Sequence, residues 1–174
     1  LHTALRRQRQ MCIRDRTTLR GISKRIINKK IESFKSRTQK LRWPIDRDLS
    51  RYLKNKIIIS AWRRGKYIIF NLSEGHLLIH LGMSGKLRVF DGQVTPKKHE
   101  HWDLSFTDGW TLRYTDIRKF GALVKIKEKP EEHNLLKNLG PEPLGNEFNS
   151  EYLFQCTRKS CLLYTSPSPR DFQV

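Results

Sequence analysis

From residue 56 to residue 126 the hydrophobic pattern repeats with a period of two, which leaves the chain few folds to choose from. Runs over residues 57–62, 67–72, 76–81, 86–90, 102–106, 111–114 and 122–126 are β-branched and aromatic. Arg64-Gly65 and Ser73-Glu74-Gly75 split the first three, and Thr107-Asp108-Gly109 is a good hairpin turn. A weaker alternation over 30–35 adds a further strand. About eight short strands at regular spacing predict an antiparallel sandwich or barrel.

Helices are expected to open and close this core. Leu19, Ile22, Ile26 and Ile27 recur at helical spacing and predict a helix over 17–28, with Arg20, Lys24 and Arg25 on its other faces. Residues 41–44 read as a stop. A short helix follows, with Asp46 or Asp48 as its cap and Leu49, Tyr52 and Leu53 on one face. Residues 125–132 read as a charged loop. Short helices are predicted over 132–139 and 150–157, joined by Gly140-Pro141-Glu142-Pro143-Leu144. The expected class is mainly β with flanking helices (α+β): an antiparallel β-sandwich of about eight strands, with an N-terminal helix and short helices at its edges.

Charge narrows the partners. Thirty-five Lys and Arg oppose 17 Asp and Glu, a formal surplus of +18, while 37% hydrophobic content is enough for a core. Such a surplus favours a polyanion, nucleic acid first and an anionic membrane second. No apolar run approaches the roughly 18–20 residues of a membrane span, and the basic N-terminal stretch lacks the apolar centre of a signal peptide. A cytoplasmic chain without a membrane partner is expected.

The two ends stand apart. Met11-Cys12-Ile13-Arg14-Asp15 can be encoded by a DNA string whose opposite strand, read one frame over, encodes Cys161-Leu162-Leu163-Tyr164-Thr165. With Ser166-Pro167-Ser168-Pro169-Arg170-Asp171, these strings resemble translated sequencing-adapter read-through. Residues 1–16 and 161–174 are therefore expected not to be native and are left out of the fold reasoning. Cys156 then remains as the one cysteine, too few for an internal disulfide or a zinc site.

Four clusters could carry chemistry. Arg63-Arg64-Gly65-Lys66-Tyr67 gathers three cations at a strand-to-strand turn, where glycine lets the backbone approach a ligand. His80-Leu81-Gly82-Met83-Ser84-Gly85 ends a strand with an unbranched apolar side chain between glycines. In Lys97-Lys98-His99-Glu100-His101 the histidines share a strand face, but no further ligand spacing supports a metal, and phosphate hydrogen bonding by His99 is preferred. In residues 113–121 (Arg113 to Gly121) an arginine, Arg118, stands two residues before Phe120 on a short loop. Arginine suits a phosphate or a base edge, and a phenylalanine held out beside it suits stacking or wedging between bases. On local grounds two readings stay open. Either the pair faces nucleic acid, or Phe120 plugs the core and Arg118 pairs with Asp116.

Taken in order, residues 41–44, 63–67, 79–87, 97–103, 112–121 and 139–144 resemble the N-terminal domain of bacterial formamidopyrimidine-DNA glycosylases. The resemblance covers essentially all of residues 17–160. It implies a β-sandwich domain over 17–146, with 147–160 opening the linker to a helical DNA-binding domain. It also implies base-excision repair: oxidised purines such as 8-oxoguanine and formamidopyrimidines are flipped out of duplex DNA and removed. The abasic strand is then cleaved by β/δ-elimination. The void-filling roles fall on Met83, Arg118 and Phe120, with Arg118 pairing the orphaned cytosine. Lys66 matches the lysine of phosphate contact and proton transfer. His99 matches a DNA-contacting histidine, with Arg64, Arg158 and Lys159 as further DNA-binding candidates. A monomer is implied by the same analogy.

The pattern breaks at both ends. The family's nucleophilic proline and acid/base glutamate should stand at positions 10 and 11, where this sequence has Gln10 and Met11. The resemblance stops near Ser160, before the family's zinc-finger hairpin, so no metal or cofactor is expected of this chain. The chain as written is expected to be catalytically inactive and a weak DNA binder. Alternatives are a non-catalytic damaged-DNA-binding module and an enzyme of the endonuclease VIII type, which prefers oxidised pyrimidines. The combination of Met83 with Arg118 and Phe120 favours the purine enzyme.

Overall fold

The computed structural model describes residues 2–92, 94–142 and 145–158, with side chains from Ile13 onward. Helix α1 (His2–Ile26) leads into β1 (Ile31–Ser36) and the short α2 (Leu49–Leu53). Seven further strands follow: β2 (Ile58–Arg64), β3 (Tyr67–Leu72), β4 (His76–His80), β5 (Lys86–Asp91), β6 (Glu100–Phe106), β7 (Trp110–Thr115) and β8 (Ala122–Ile126). A 3-10 turn (Pro130–Glu132) and α3 (Ser150–Arg158) complete the elements. The chain divides into two compact units, the first ending at Asn138 and the second beginning at Leu139.

The eight strands form two antiparallel four-stranded sheets, ordered β1-β6-β7-β5 and β2-β3-β4-β8. Phe34, Leu87, Trp102, Leu104, Phe106, Leu112 and Tyr114 of the first sheet meet Ile58, Ile68, Phe70, Leu77, Ile79 and Leu123 of the second in one core. The Trp102 and Tyr114 rings stack at 5.3 Å between centroids. Ile22 and Ile26 bring the apolar stripe of α1 onto the same core, so the helix is held by packing rather than by propensity alone. In β3 both faces are buried, which explains its unbroken apolar run: Ile68 and Phe70 face the core, and Ile69 the opposite side.

Three local expectations change. Helix α1 does not begin near Thr17 but runs without a break from His2, because the Leu-, Arg- and Gln-rich stretch before it contains no helix breaker. No helix forms over 132–139. The segment makes only hydrogen-bonded turns, in which His133 O accepts from both Leu136 N and Lys137 N. Asn134 and Asn138 disfavour a helix, and burial of Pro130 and Leu136 holds the segment instead. Asp48 does occupy the position before α2, but its side chain makes no cap bond, and Asp46 Oδ1 accepts the Asp48 N–H instead.

Among the described residues no helix is long and apolar enough to cross a membrane. Leu104 is fully buried at the centre of β6. Leu104→Ala should therefore cost about 2–5 kcal/mol of stability, read as a lower urea midpoint.

Candidate nucleic-acid interface

The strand order brings the four clusters to one end of the sandwich. In the second sheet His80 pairs with Tyr67 on one side and Ala122 on the other. The β2–β3 turn, the end of β4 and the start of β8 are therefore neighbours. In the first sheet Thr115 pairs with both Lys86 and Glu100, so the start of β5, the start of β6 and the end of β7 also meet. Two connections cross between the sheets at this end. Residues 81–85 join β4 to β5, and residues 116–121 join β7 to β8.

These two crossings touch along their backbones. A Cβ built on Gly82 would lie 2.7–2.9 Å from the backbone of Phe120 and Gly121, so only glycine permits the approach. One on Gly121 would strike the Tyr114 hydroxyl and lie 2.7 Å from His80 O. Met83 and Phe120, one on each crossing, are both 44% exposed, which removes the core-plug reading of Phe120. The Arg118 guanidinium lies 4.6 Å from the Phe120 ring centroid, so cation and ring form one surface. Ile117 beside them is also exposed.

Asp116 organises this surface from beneath. Its carboxylate is fully buried and accepts from Ser84 Oγ at 2.5 Å, Gly121 N at 2.9 Å, Tyr114 OH at 3.0 Å and Arg118 N at 3.2 Å. Its backbone N–H donates to His99 O at 2.9 Å, and its carbonyl meets His101 Nε2 at 2.7 Å. One residue thus ties together the Met83 turn, the Arg118–Phe120 loop and the His99 loop. Burial pushes the carboxyl's pKa up, but the four donors outweigh it and hold it below the ordinary value. Burial and the Asp116 charge push the Tyr114 phenol upward. Asp116 therefore bonds the Arg118 backbone rather than its guanidinium, against the alternative reading that paired the two side chains.

The cationic clusters flank this centre. Arg64 ends β2, Gly65 takes φ +56° and Lys66 is exposed at the turn, its Nζ 5.5 Å from the Tyr67 ring centroid. His99 is half-buried with φ +71°, and Lys119 takes φ +55°. Among the described residues the other left-handed non-glycines are Asn28 and Asn55, a type that tolerates this region. Backbone strain is thus concentrated on the two loops that carry the candidate contacts. Arg158 lies on α3 in the second unit, with its guanidinium 5.3 Å from the Phe154 ring centroid. Lys159 lies outside the described residues.

Three participants escaped the sequence reading. Asp116 had figured only as a partner for Arg118. Arg42 donates its backbone N–H to Gly121 O at 2.8 Å, so residues 41–44 buttress the Phe120 loop. His80 is buried, and neither ring nitrogen finds a partner in hydrogen-bonding geometry, although the Phe120 backbone lies beside it. Burial, with Lys66 and Arg42 nearby, lowers its pKa from 6.5 to about 4. Only the surrounding fold reveals these roles.

No group of three His, Cys, Asp or Glu able to hold a metal occurs among the described residues, and Cys156, the described cysteine, is exposed.

The profile of the formamidopyrimidine-DNA glycosylase N-terminal domain family matches residues 16–123. A formamidopyrimidine-DNA glycosylase of Psychromonas ingrahamii is 49% identical over 143 residues, 82% of this chain and 53% of that protein. One from Escherichia coli O1:K1 is 45% identical over 144 residues, again 82% of this chain and 53% of the relative. The chain spans about half the length of these curated relatives. Among solved structures, Lactococcus lactis formamidopyrimidine-DNA glycosylase bound to DNA containing an abasic site matches with a TM-score of 0.74 and 32% identity, over 84% of this chain and 57% of that one. The same enzyme bound to Fapy-dG DNA gives 0.74 and 32%, over 83% and 55%.

Two outcomes are expected. Asp116→Asn sets an amide N–H₂ among four donors and should cost about 1.5–3 kcal/mol, with faster hydrogen exchange at the Arg118 and Gly121 amides. For His80, the unfolded chain takes up a proton near 6.5 and the folded chain only near 4. Between those values the unfolded state binds more protons, so stability falls as pH drops from 6.5 to 4. His80→Asn should flatten that part of the urea-midpoint profile.

Proposed function

Because the chain belongs to the formamidopyrimidine-DNA glycosylase family, we propose that it engages duplex DNA at oxidised purines and fills the void left when the damaged base is turned out. The presentation of Met83, Arg118 and Phe120 carries this reading. Two large apolar side chains, each 44% exposed, stand on two crossings linked through Ser84 and Asp116, with a guanidinium over one ring. A folded protein gains nothing from holding such groups in water, whereas a separated base step offers them an apolar slot. Arg118 supplies a planar donor fork for the base left without its partner.

The surroundings fit the sugar–phosphate backbone. Lys66 and Arg42 lie near a buried His80 whose ring nitrogens lack partners. His99, Lys97 and Lys98 extend the cationic rim. Net charge of +18 supports association at low salt and a steep loss of affinity as salt rises.

Chemistry is the other half of the proposal. In the family the base is removed and the strand is then cleaved through an iminium formed by the N-terminal proline. By the same resemblance Lys66 matches the lysine that assists proton transfer in that cleavage. Gln10 and Met11 occupy the positions that the resemblance gives to the proline and glutamate, and an amide nitrogen is not a nucleophile. This chain would therefore recognise the lesion without forming the covalent intermediate. Its setting would be the bacterial nucleoid, and it would act as a monomer.

Fluorescence anisotropy with a duplex carrying 8-oxoguanine or an abasic-site analogue opposite cytosine tests recognition. Both should bind more tightly than undamaged duplex. Phe120→Ala or Arg118→Ala should each remove about 1–3 kcal/mol of that preference. Equal affinity for damaged and undamaged DNA would sink the proposal. Borohydride treatment of the 8-oxoguanine complex should trap no protein–DNA adduct.

A further inference from the structure

On the outer face of the first sheet lies a guanidinium that the void-filling residues do not use. Leu112 and Tyr114 point into the core, so Arg113 between them points outward, yet it is only 3% exposed. What covers it is the segment 94–100, which runs from the end of β5 back to the start of β6. Arg113 donates to Asp103 through Nε at 2.8 Å and Nη2 at 2.9 Å, and to Glu100 Oε2 at 2.9 Å. It also donates to the carbonyls of Val94 and Thr95. Glu100 Oε2 in turn accepts the Lys97 N–H at 2.7 Å, and Glu100 N donates to Lys97 O at 3.2 Å. A second arginine backs the first: Arg37 makes two bonds to Asp103 at 2.9 Å each and donates Nε to Glu100 O at 2.8 Å.

What this network holds is cationic. Lys97 and Lys98 are exposed, and His99 follows with its backbone in the left-handed region. A stretch containing two like charges and a strained φ would disperse without an anchor. Here both ends are anchored to one fork, and the middle is turned outward.

We infer that Arg113 and Glu100 are positioning residues that hold segment 94–100 as a preformed phosphate-contact element, presenting Lys97, Lys98 and His99 to a DNA strand. The inference rests on the DNA-binding function proposed above and names residues that touch no DNA themselves. The cost of ordering the segment is met on folding, so binding does not have to meet it again.

Charge and position give opposite expectations for one variant. Glu100→Gln keeps the shape of the side chain and the Arg113–Asp103 pair, but raises net charge by one. If the segment's order did not matter, a polyanion would bind this variant as tightly as the parent or more tightly. Loss of positioning should instead weaken it by roughly three- to tenfold, the scale of immobilising one or two side chains on binding. The exposed control Glu32→Gln carries the same charge change and should bind as tightly as the parent or better. The assay is anisotropy with the full chain and a duplex containing an abasic-site analogue. Hydrogen exchange at the Lys97–Glu100 amides should rise in Glu100→Gln alone. Combined with Lys98→Met, Glu100→Gln should add little further loss, because both act through the same contact. Unchanged or tighter binding by Glu100→Gln, or full additivity with Lys98→Met, overturns the inference. A parent chain that binds no duplex at all overturns the proposed function instead.

Discussion

The candidate interface depends on one buried carboxylate. Asp116 sits where β7 leaves the first sheet, and it is the point at which three loops are joined. A buried carboxylate is costly unless it is fully bonded, and here Ser84, Tyr114, Arg118 and Gly121 satisfy it. The relation is reciprocal. The backbone N–H groups of Arg118 and Gly121 would otherwise belong to an irregular loop with no ladder to join. The carboxylate replaces a strand partner for a segment that must not be a strand, because it has to cross between the sheets and leave Phe120 outside.

Sheet topology explains why such a crossing exists. Residues 81–85 run from β4 to β5 and residues 116–121 from β7 to β8, and β4 pairs with β8 as β5 pairs with β7, so the two connections cross between the sheets side by side. Close contact between them then demands glycine at Gly82 and Gly121. The same feature that closes the sandwich therefore sets Met83 beside Phe120. Charge follows a similar logic. Arg37 and Arg113 share Asp103, and Glu100 joins them, so a chain with a large cation surplus keeps its acids where they neutralise buried guanidinium groups. Burial pushes the Asp103 carboxyl up, but the two arginines outweigh it and hold it below its ordinary value. The surface left over is mostly positive. Pairs of this kind add little net stability, but they specify one arrangement of the loop above them.

The strands were legible because their pattern is local: β-branched runs and turn residues mark them without reference to any partner. Phe120 was legible only in part. Its neighbours in sequence fit a core aromatic equally well, and exposure is decided by Gly82, some forty residues away. The role of Asp116 was hidden for the same reason, since its four donors come from both loops and from β7. His80 looked like the last residue of a strand. Its lack of partners is a property of three strands together. Where local pattern was over-read, as with the helix expected over 132–139, burial of Pro130 and Leu136 overrode a weak helical period.

Division of labour within the domain follows from these constraints. The void-filling proposed above would ask for rigid, exposed groups at fixed spacing, and Met83 and Phe120 stand exposed on two loops linked through Ser84 and Asp116. In the family the covalent step uses the amine of an N-terminal proline, which is not a group of the sandwich edge. Lys66 sits at a tight turn beside His80, where the cationic surroundings suit phosphate contact. Strain points the same way. His99 and Lys119 adopt a backbone region that costs non-glycine residues about 1–3 kcal/mol each. His99 is held there by the Asp116 N–H to its carbonyl, and Lys119 lies between Arg118 and Gly121, whose N–H groups Asp116 accepts. The strained positions thus lie on the loops that the proposed DNA contact uses.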